Sequence, residues 1–374
     1  MQIKINLDGV RDYFVNVGEV GHLEFDSNVC VVTNDVVAPL YLEKLKSKIH
    51  AKKLISVILP DGEANKTYQS IEQITNALFE AKFDRHSTLI ALGGGVVSDL
   101  TGFAAAIYQR GINFVSVATT LLAQVDASVG GKTGFNNKFG KNLLGAFWQP
   151  KAVWCDSRFL ATLNCREFSA GVAEAVKMAV IFEREFFADF EKFAASNGED
   201  LSEFLVQKLA ANDLDAINFV EKVVQKSVQI KAKVVSQDET ESGVRAALNY
   251  GHTFAHGIEK LAGYGTLLHG EAVSVGIVLA NDLSVRLGLL SRELATRIRR
   301  VLEAFSLPVS LKSVLKNTTA EELYESFLLD KKNENGEIKF ILATQEGADF
   351  APFGVKTSVK KDEVLAVLNA ALKE

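Results

Sequence analysis

The feature that most constrains the fold is a regular alternation of short apolar segments with longer amphipathic ones over about the first 150 residues. The apolar segments have the length of buried strands, and the amphipathic ones have the 3.6-residue periodicity of helices. This alternation predicts a parallel sheet with helices on its faces. The predicted strands are residues 29–32, 54–59, 88–92 and 113–117, and the predicted helices are residues 38–50, 67–81 and 96–108.

Beyond about residue 158 the pattern becomes almost entirely helical, apart from a predicted hairpin at residues 337–342 and 349–353. A chain of 374 residues is also too long for one ordinary core. We therefore predict a Rossmann-like α/β domain over residues 1–158 and a mainly α-helical domain over residues 159–374, with a site in the cleft between them. The predicted helices are residues 166–190, 201–209, 213–235, 244–263, 270–288, 292–305 and 361–373.

Composition excludes several classes of function. A net charge of −5 argues against a nucleic-acid partner held by a basic surface. No uncharged apolar run is long enough to cross a bilayer. The first residues alternate as in a strand, so we expect no signal peptide. Three cysteines without metal-ligand spacing fit a reducing compartment, and we expect a cytoplasmic protein.

A glycine-rich turn follows the apolar segment at residues 89–92. The turn, Gly93-Gly94-Gly95, leads into a helix rich in small residues. Glycines between a strand and a helix let the backbone approach a pyrophosphate, which then faces the helix N-terminus. The spacing is not that of the ordinary dinucleotide fingerprint, and a tight turn that requires positive φ is the alternative interpretation.

A second glycine pair, Gly130-Gly131, precedes Lys132 and Thr133. It is not a Walker A loop, because Asp126 occupies the position where that motif requires its first glycine. Backbone amides and the charge of Lys132 suit a phosphate, whereas a solvated surface loop is the alternative.

Histidines cluster at positions 252, 256 and 269. His252 and His256 are four residues apart and therefore share one face of a helix. Glu174 lies in an apolar helix of small residues, where a carboxylate is costly unless it is paired or bound to a metal. Two histidines and one carboxylate are the ligands of a catalytic zinc site with an open position. A buried ion pair of Glu174 with Lys177 or a histidine is the alternative, and spacing does not identify which ligands pair.

Together these motifs resemble the 3-dehydroquinate synthase family of sugar-phosphate cyclases, over roughly residues 31–332. Ala127 and Ser98 stand where relatives often have serine and glycine, respectively, and neither change removes a charge or a ligand. The motifs that carry the resemblance are residues 61–66, 93–103, 119–126, 130–133, 141–142, 174–177, 245–256 and 269–272.

The resemblance implies two cofactors, NAD and one divalent metal ion, zinc or cobalt. The implied metal ligands are Glu174, His252 and His269, which makes His256 a substrate-side group. The implied NAD contacts are Asn34, Asp61, Gly62, Glu63, Ala64, Asn65, Lys66, Gly95, Val96, Val97, Ser98, Asp99, Thr119, Thr120, Lys132, Lys141, Phe159, Leu160, Ala161 and Thr162.

The resemblance also implies a phosphorylated sugar acid as substrate and a homodimer, in which Arg110 reaches the phosphate bound in the neighbouring subunit. One lysine of the pair Lys331-Lys332 is a further substrate contact. The other implied substrate contacts are Asp126, Lys132, Asn142, Lys177, Lys231, Arg245, Asn249 and His256.

The implied reaction converts 3-deoxy-D-arabino-heptulosonate 7-phosphate to 3-dehydroquinate and phosphate, in the shikimate pathway. It combines NAD-mediated oxidation, β-elimination, reduction and intramolecular aldol closure. Arg245 and Lys231 suit the substrate carboxylate, and the remaining cations suit the phosphate. The departing phosphate is our hypothesis for the base, with His256 as the protein candidate for proton relay. The alternatives are another sugar-phosphate cyclase, a metal-dependent polyol dehydrogenase and an inactive binding protein.

Overall fold

The computed structural model describes residues 1–263, 265–328, 338–346 and 351–374. It divides into two compact units. Unit 1 comprises Met1–Leu163 and Lys208–Thr240, and unit 2 comprises Asn164–Gln207 and Glu241–Glu374. Within the described residues, no helix has the length and apolar character needed to cross a membrane.

Most of the strands lie in unit 1 and most of the helices in unit 2. The strands are β1 (Gln2–Ile5), β2 (Tyr13–Val17), β3 (Leu23–Glu24), β4 (Asn28–Asn34), β5 (Ile49–His50), β6 (Lys53–Leu59), β7 (Thr88–Gly93), β8 (Asn113–Ala118), β9 (Lys132–Asn137), β10 (Gly140–Phe147), β11 (Ala152–Cys155), β12 (Lys339–Ala343) and β13 (Gly354–Ser358). The helices are α1 (Ala38–Lys46), α2 (Tyr68–Glu80), α3 (Gly95–Ile107), α4 (Cys165–Phe182), α5 (Arg184–Asn197), α6 (Leu201–Ala210), α7 (Leu214–Gln237), α8 (His252–Ala262), α9 (His269–Arg286), α10 (Arg292–Ala304), α11 (Leu311–Val314), α12 (Ala320–Leu328) and α13 (Lys361–Ala371).

The main sheet of unit 1 has the strand order β1-β2-β11-β8-β7-β4-β6. All neighbouring pairs are parallel except β1 with β2, which are antiparallel. The prediction of a Rossmann-like parallel-sheet domain is thus confirmed, and the antiparallel edge strand is an addition to it.

Both faces of this sheet are covered, as a parallel sheet requires. Alternate residues of β4 separate into two cores. Cys30 and Val32 pack with α2 and α3, whereas Val29 and Val31 pack with α1. Because both sets are apolar, the sequence of β4 is a continuous hydrophobic run, and this run made the strand predictable.

Strand β4 is the point at which the chain reverses direction across the sheet. From β4 the chain passes through α1 to β6 on one side, and then through α2 to β7 on the other. Open α/β sheets bind ligands outside the carboxyl ends of the strands at such a switch point. The turns that follow β4, β6, β7, β8 and β11 are therefore the expected binding edge of unit 1.

Helix α7 belongs to unit 1, although it lies far along the chain. Its buried side packs on β1, β2 and the segments Ala123–Ala127 and Ser157–Thr162. The division of the chain therefore differs from the single boundary after residue 158 that we expected. A strip of apolar residues shows that a helix is amphipathic, but it does not identify the surface that the strip covers.

Unit 2 is mainly helical, as predicted, and α9 lies at its centre. This helix packs against α4, α8, α10 and α13. Two glycines permit the closest approaches. A Cβ on Gly270 would lie 2.2 Å from the carbonyl oxygen of Ala170 in α4, and one on Gly276 would lie 2.3 Å from that of Gly251, which precedes α8. Small residues thus bring the backbones of three helices close together.

Several predicted elements end earlier or break in the structure. The predicted helix 166–190 divides at Glu183, whose extended backbone (φ −150°) separates α4 from α5. The predicted helix 244–263 is a 3-10 helix over Val244–Asn249 followed by α8. Between them, Gly251 adopts the left-handed conformation at φ 79°, which starts α8 at His252.

Two other boundaries differ from prediction, and one strand pair was not predicted. The predicted helix 38–50 ends at Lys46, and its last two residues form β5. The predicted hairpin is present, because β12 pairs with β13 in antiparallel fashion. Its second strand begins at Gly354 and not in the predicted segment 349–353, of which residues 349–350 lie outside the described residues. The pair β9 and β10 was not predicted.

Candidate active site

Three side chains of unit 2 form a cluster with the composition of a metal site. Glu174, His252 and His269 each offer a ligand atom, and these atoms lie within 4.8 Å of one another. Oε1 of Glu174 is 3.6 Å from Nε2 of each histidine. Ligand atoms around a tetrahedral zinc ion are roughly 3.3–3.4 Å apart for bonds of 2.0–2.1 Å. The two carboxylate–histidine distances are close to this value, and the donor set fits a divalent cation.

Each histidine of this cluster has a second contact behind the ring. Nδ1 of His252 lies 3.2 Å from the carbonyl oxygen of Tyr250, and Nδ1 of His269 lies 3.4 Å from Oε2 of Glu259. Metal-binding histidines characteristically donate their second N–H to such acceptors, which turns the other nitrogen toward the metal. The surroundings of both rings thus favour Nε2 as the ligand atom.

The carboxylate of Glu174 is buried, and each of its two oxygen atoms faces different side chains. Oε2 accepts a hydrogen bond from Nζ of Lys177, one turn along α4, and Oε1 faces the histidines. The Glu174–Lys177 ion pair, which was the alternative interpretation, is therefore present beside the candidate metal ligands. Burial acts to lower the pKa of His269, but Glu259 by hydrogen bond and charge, with a contribution from Glu174, raises that pKa overall.

The N-terminus of α9 is held to the start of α4. Glu271, in the first turn of α9, accepts a hydrogen bond from the backbone N–H of Leu268 at 2.9 Å. The same carboxylate accepts from both Nε and Nη2 of Arg166, near the start of α4. This fork joins the helix that begins with His269 to the helix that carries Glu174, and thus supports the arrangement of the ligands.

Of the residues expected to contact NAD, Lys132 and Lys141 lie in β9 and β10, and the others follow the carboxyl ends of five adjacent strands of unit 1. They comprise Asn34 at the end of β4, residues 61–66 after β6, residues 95–99 after β7, residues 119–120 after β8 and residues 159–162 after β11. This row coincides with the binding edge that the topology indicates.

Gly95 is the first residue of α3. A Cβ built on it would approach only Ala127 Cβ, at an ordinary contact distance of 3.4 Å, whereas one on Gly93 would lie 2.7 Å from Val97. The glycine at position 93 is therefore required by internal packing. The protein itself places no such demand on position 95, so a glycine there suits the close approach of a ligand to the backbone.

Lys66 connects two of the expected binding segments. Its buried ammonium group donates to Oδ2 of Asp99 at 2.5 Å and to Oδ1 of Asn142 at 2.6 Å. Burial raises the pKa of Asp99, and Lys66 partly opposes this effect. Asn142, in the left-handed conformation at φ 52°, is also held by its backbone N–H, which donates to Oδ1 of Asn136.

The expected substrate contacts divide between the two units. In unit 1, Nζ of Lys231 in α7 donates to the carboxylate and the carbonyl oxygen of Asp126. In unit 2, Arg245 is buried at 2 % exposure, and Nδ2 of Asn249 donates to Glu241. Lys132 and Arg110 belong to unit 1, and Lys177 and His256 to unit 2. Lys331 and Lys332 lie outside the described residues.

His256 lies outside the three-residue cluster formed in the described part of the chain. Its ring centroid is 5.7 Å from that of His252. Four-residue spacing alone was therefore a poor guide to the ligand pair. The sequence analysis also missed Glu259. A signal for it existed, because a glutamate seven residues after His252 falls on the same face of an amphipathic helix.

Comparison with known proteins gives consistent matches along the chain. The family model described as 3-dehydroquinate synthase N-terminal matches residues 56–170, and the one described as 3-dehydroquinate synthase C-terminal matches residues 171–333. A 3-dehydroquinate synthase from Campylobacter concisus is 51 % identical over 369 residues, which cover 98 % of this chain and 99 % of the relative.

Solved structures of related cyclases share the fold. The 2-epi-5-epi-valiolone synthase of Streptomyces hygroscopicus subsp. jinggangensis, solved with NAD+ and Zn2+ bound, has a TM-score of 0.79 at 25 % identity, covering 95 % of this chain and 98 % of that one. A 2-deoxy-scyllo-inosose synthase complexed with carbaglucose-6-phosphate, NAD+ and Co2+ has a TM-score of 0.80 at 22 % identity, with complete coverage of both chains.

Proposed function

The chain belongs to the 3-dehydroquinate synthase family and has the activity that gives the family its name, and on that premise we propose that it is a phosphate-eliminating carbon–oxygen lyase that requires NAD and one divalent metal ion. Its substrate is then 3-deoxy-D-arabino-heptulosonate 7-phosphate, and its products are 3-dehydroquinate and phosphate. The observation that carries the cofactor requirement is the cluster of Glu174, His252 and His269.

The proposed metal ion, zinc or cobalt, is held by these three residues. A site with three protein ligands keeps a position open for substrate. When bound, the metal supplies Lewis acidity toward substrate hydroxyls, and NAD supplies reversible hydride transfer. The likeness to a cyclase solved with NAD+ and Zn2+ supports this pairing of cofactors.

The proposed NAD site is the row of turns along the carboxyl edge of the unit 1 sheet. The space above Gly95 and the start of α3 suit a pyrophosphate. Near it, the side chains of Asn34 and Asp61 are hydrogen-bonded to each other, and the amide oxygen of Asn34 accepts from the backbone N–H of Val37 at 2.8 Å. These contacts hold the turns after β4 and β6 in one arrangement.

The remaining polar residues are proposed to bind and orient the substrate. Arg245 and Lys231 would bind the carboxylate, and Lys132, Asn142, Asn249 and His256 would bind the phosphate. Lys231 already donates a hydrogen bond to the carboxylate of Asp126, and Asn142 already accepts one from Lys66. These bonds keep both side chains oriented before the substrate arrives, which lowers the entropic cost of binding.

For the elimination step, we propose that the substrate phosphate itself accepts the C6 proton, while His256 exchanges protons with the substrate. An isosteric phosphonate cannot leave, so it isolates the proton transfer. The expected result is exchange of the C6 hydrogen with solvent deuterium in the phosphonate. Absence of exchange in a complex that still reduces its NAD would reject the proposal.

The proposed assembly is a homodimer in which Arg110 reaches the phosphate of the partner's site. Arg110 and the preceding Gln109 both adopt positive φ, at 69° and 51°, and such strain is commonly retained at functional positions. Mixing the Arg110→Ala and His252→Ala variants tests this. Hybrid dimers should regain activity, because one site then has both an intact metal centre and the partner's arginine. No recovery in mixtures shown to exchange subunits would argue against it.

The proposed compartment is the cytoplasm. Cys30 and Cys155 are buried as free thiols, and Cys165 is half-buried and free. Free thiols persist in a reducing environment.

The test of the function itself follows two signals in one reaction. The metal-loaded protein is mixed with the heptulosonate phosphate and a catalytic amount of NAD. Phosphate release over many turnovers without net NADH is the expected outcome, because the hydride returns to the substrate. NADH formed in step with substrate loss, without phosphate, would indicate a polyol dehydrogenase. Turnover of a heptulose phosphate that lacks the carboxylate would favour another cyclase.

A further inference from the structure

A second buried carboxylate lies behind the cluster of candidate metal ligands. Glu259 of α8 is 5 % exposed, and its Oε2 lies 3.4 Å from Nδ1 of His269. On the other side of the same ring, Nε2 lies 3.6 Å from Oε1 of Glu174. The imidazole of His269 therefore bridges two carboxylates, one directed at each nitrogen.

This bridge determines which nitrogen of His269 is available as a ligand. A neutral imidazole carries one proton, and the nitrogen without it binds the metal. A carboxylate near Nδ1 favours the tautomer with the proton on that nitrogen, which donates a hydrogen bond to it, and Nε2 is then left with its lone pair toward Glu174 and His252. The opposite tautomer would turn a lone pair toward the negative charge of Glu259, which is unfavourable.

The two histidines of the cluster differ in their outer contacts. His252 faces a neutral carbonyl oxygen, that of Tyr250, whereas His269 faces a charged group. His252 is also the better buried, because its side chain is 10 % exposed against 38 % for His269. Packing therefore restrains His252, while His269, at the first position of α9, depends more on a hydrogen bond to hold its ring.

We propose that Glu259 is a positioning residue of the metal centre, which accepts a hydrogen bond from the Nδ1–H of His269 and so holds Nε2 toward the metal. The proposal rests on the proposed function in one respect, because it presupposes that the cluster binds a divalent cation. Glu259 does not touch the metal. It acts through His269, and it strengthens binding by orienting the ring and by making its nitrogen more basic.

The test is the affinity of the apoprotein for Zn2+ and Co2+, measured by competition with a chromophoric chelator. Removal of an outer-shell partner costs about 10- to 100-fold in metal affinity. In Glu259→Gln an acceptor oxygen remains but the charge is lost, so affinity should fall about 10-fold. In Glu259→Leu both are lost, so affinity should fall about 100-fold.

Asp282→Asn is the matched control. Asp282 is a partly buried carboxylate of α9, the helix that His269 begins, but it lies thirteen residues further along. Its replacement should leave the metal affinity within about twofold of the wild type, a difference below about 0.4 kcal/mol.

A second measurement separates positioning from a general loss of stability. In the zinc-loaded protein, the Nδ1 proton of His269 should give a strongly downfield NMR signal, assigned by through-bond correlation of the ring nitrogen to the His269 backbone in isotopically labelled protein. Glu259→Gln should move this signal upfield, because an amide is a weaker acceptor than a carboxylate. If Glu259→Leu does not fold, this signal and the affinity of Glu259→Gln decide the question.

Each outcome is decisive. Wild-type affinity in both Glu259 variants, with an unmoved proton signal, would overturn the inference while leaving the metal site intact. A wild-type protein that binds neither ion would overturn the proposed cofactor requirement instead. Weaker binding in the Glu259 variants, with normal binding in Asp282→Asn, is the expected result.

Discussion

The two units form their candidate sites from different parts of the chain. In unit 1 most of the expected cofactor residues lie in turns that follow five adjacent strands, and Gly62 and Gly95 are among them. In unit 2 the cluster consists of side chains from α4, α8 and α9, brought together where α9 packs closely on the other two helices. A backbone-lined edge should tolerate loss of many side chains and resist added bulk, whereas a three-ligand cluster should fail when one side chain is lost.

The largest effect is therefore expected from removing a ligand in unit 2. His252→Ala should abolish stoichiometric metal binding and lower the rate of phosphate release by roughly 10³-fold, because a metal ion supplies several kcal/mol of charge stabilisation. Metal content by mass spectrometry and phosphate release check this. His256→Ala is the matched control on the same helix, and it should retain the metal. Loss of metal from both variants would mean that the ligand set is misassigned.

Added bulk in unit 1 should produce the next largest effect. Gly95→Ala should fold normally, because the new Cβ meets only Ala127 at 3.4 Å. NAD affinity should fall by roughly 5- to 150-fold, since overpacking at a contact costs about 1–3 kcal/mol. Calorimetric titration with NAD measures this. Gly93→Ala is the contrasting variant, and it should lower the thermal midpoint because its Cβ overlaps Val97. Unchanged NAD affinity in Gly95→Ala would remove the turn from the cofactor site.

The same contrast explains what could be predicted from the sequence. Strands β4, β6, β7 and β8 are short apolar runs whose bounds differ from the predicted ones by at most two residues. Strands β4, β7 and β8 are buried on both faces, which makes them continuously hydrophobic, whereas β6 lies at the edge of the sheet and is partly exposed. Strands β9 and β10 were missed because their segments contain glycine, asparagine and lysine, and read as a loop. Once the strands are known, parallel topology places the turns along one edge.

The cluster in unit 2 was less accessible to the same reasoning. Helical periodicity indicates which face of each helix is buried, but it does not show which helices contact one another or at which residues along their axes they do so. The partners of Glu174 therefore came from the family resemblance. Glu259 escaped notice because the contact depends on where the start of α9 meets α8. The break before α8 depends on the left-handed Gly251, which periodicity does not reveal.

A smaller effect is expected from the fork that joins α4 to α9. Glu271→Gln removes the charge that Arg166 binds, while an oxygen remains for the N–H of Leu268. We expect a loss of about 1–2 kcal/mol, because hydrogen bonds to charged groups contribute about 1.5–3 kcal/mol and Arg166 is half exposed. The thermal midpoint checks this. Glu293→Gln, an exposed glutamate in the first turn of α10, is the control and should change little. Equal shifts would show that the fork adds no stability.

The smallest effect concerns a carboxylate that unit 1 holds chiefly with neighbouring donors. Asp12 accepts hydrogen bonds from Nζ of Lys4 and from the backbone N–H groups of Leu7 and Gly9. The bond from Lys4, followed by that from Leu7, lowers the pKa of Asp12 to about 2. Its contribution to stability is thus complete above the unfolded pKa of about 3.9 and is lost as the pH falls through about 2.

Asp12→Asn should therefore be less stable than the wild type at pH 6, and the difference should narrow between about pH 4 and pH 2. Urea unfolding at a series of pH values measures the difference. Lys4→Met is the companion variant and should show much of the same narrowing, because it removes the strongest of the bonds. A difference that stays constant down to pH 2 would mean that Asp12 stabilises the turn through its shape alone. In that case even the edge hairpin of unit 1 would depend on backbone geometry and not on charge, and the contrast with the ligand cluster of unit 2 would be sharper.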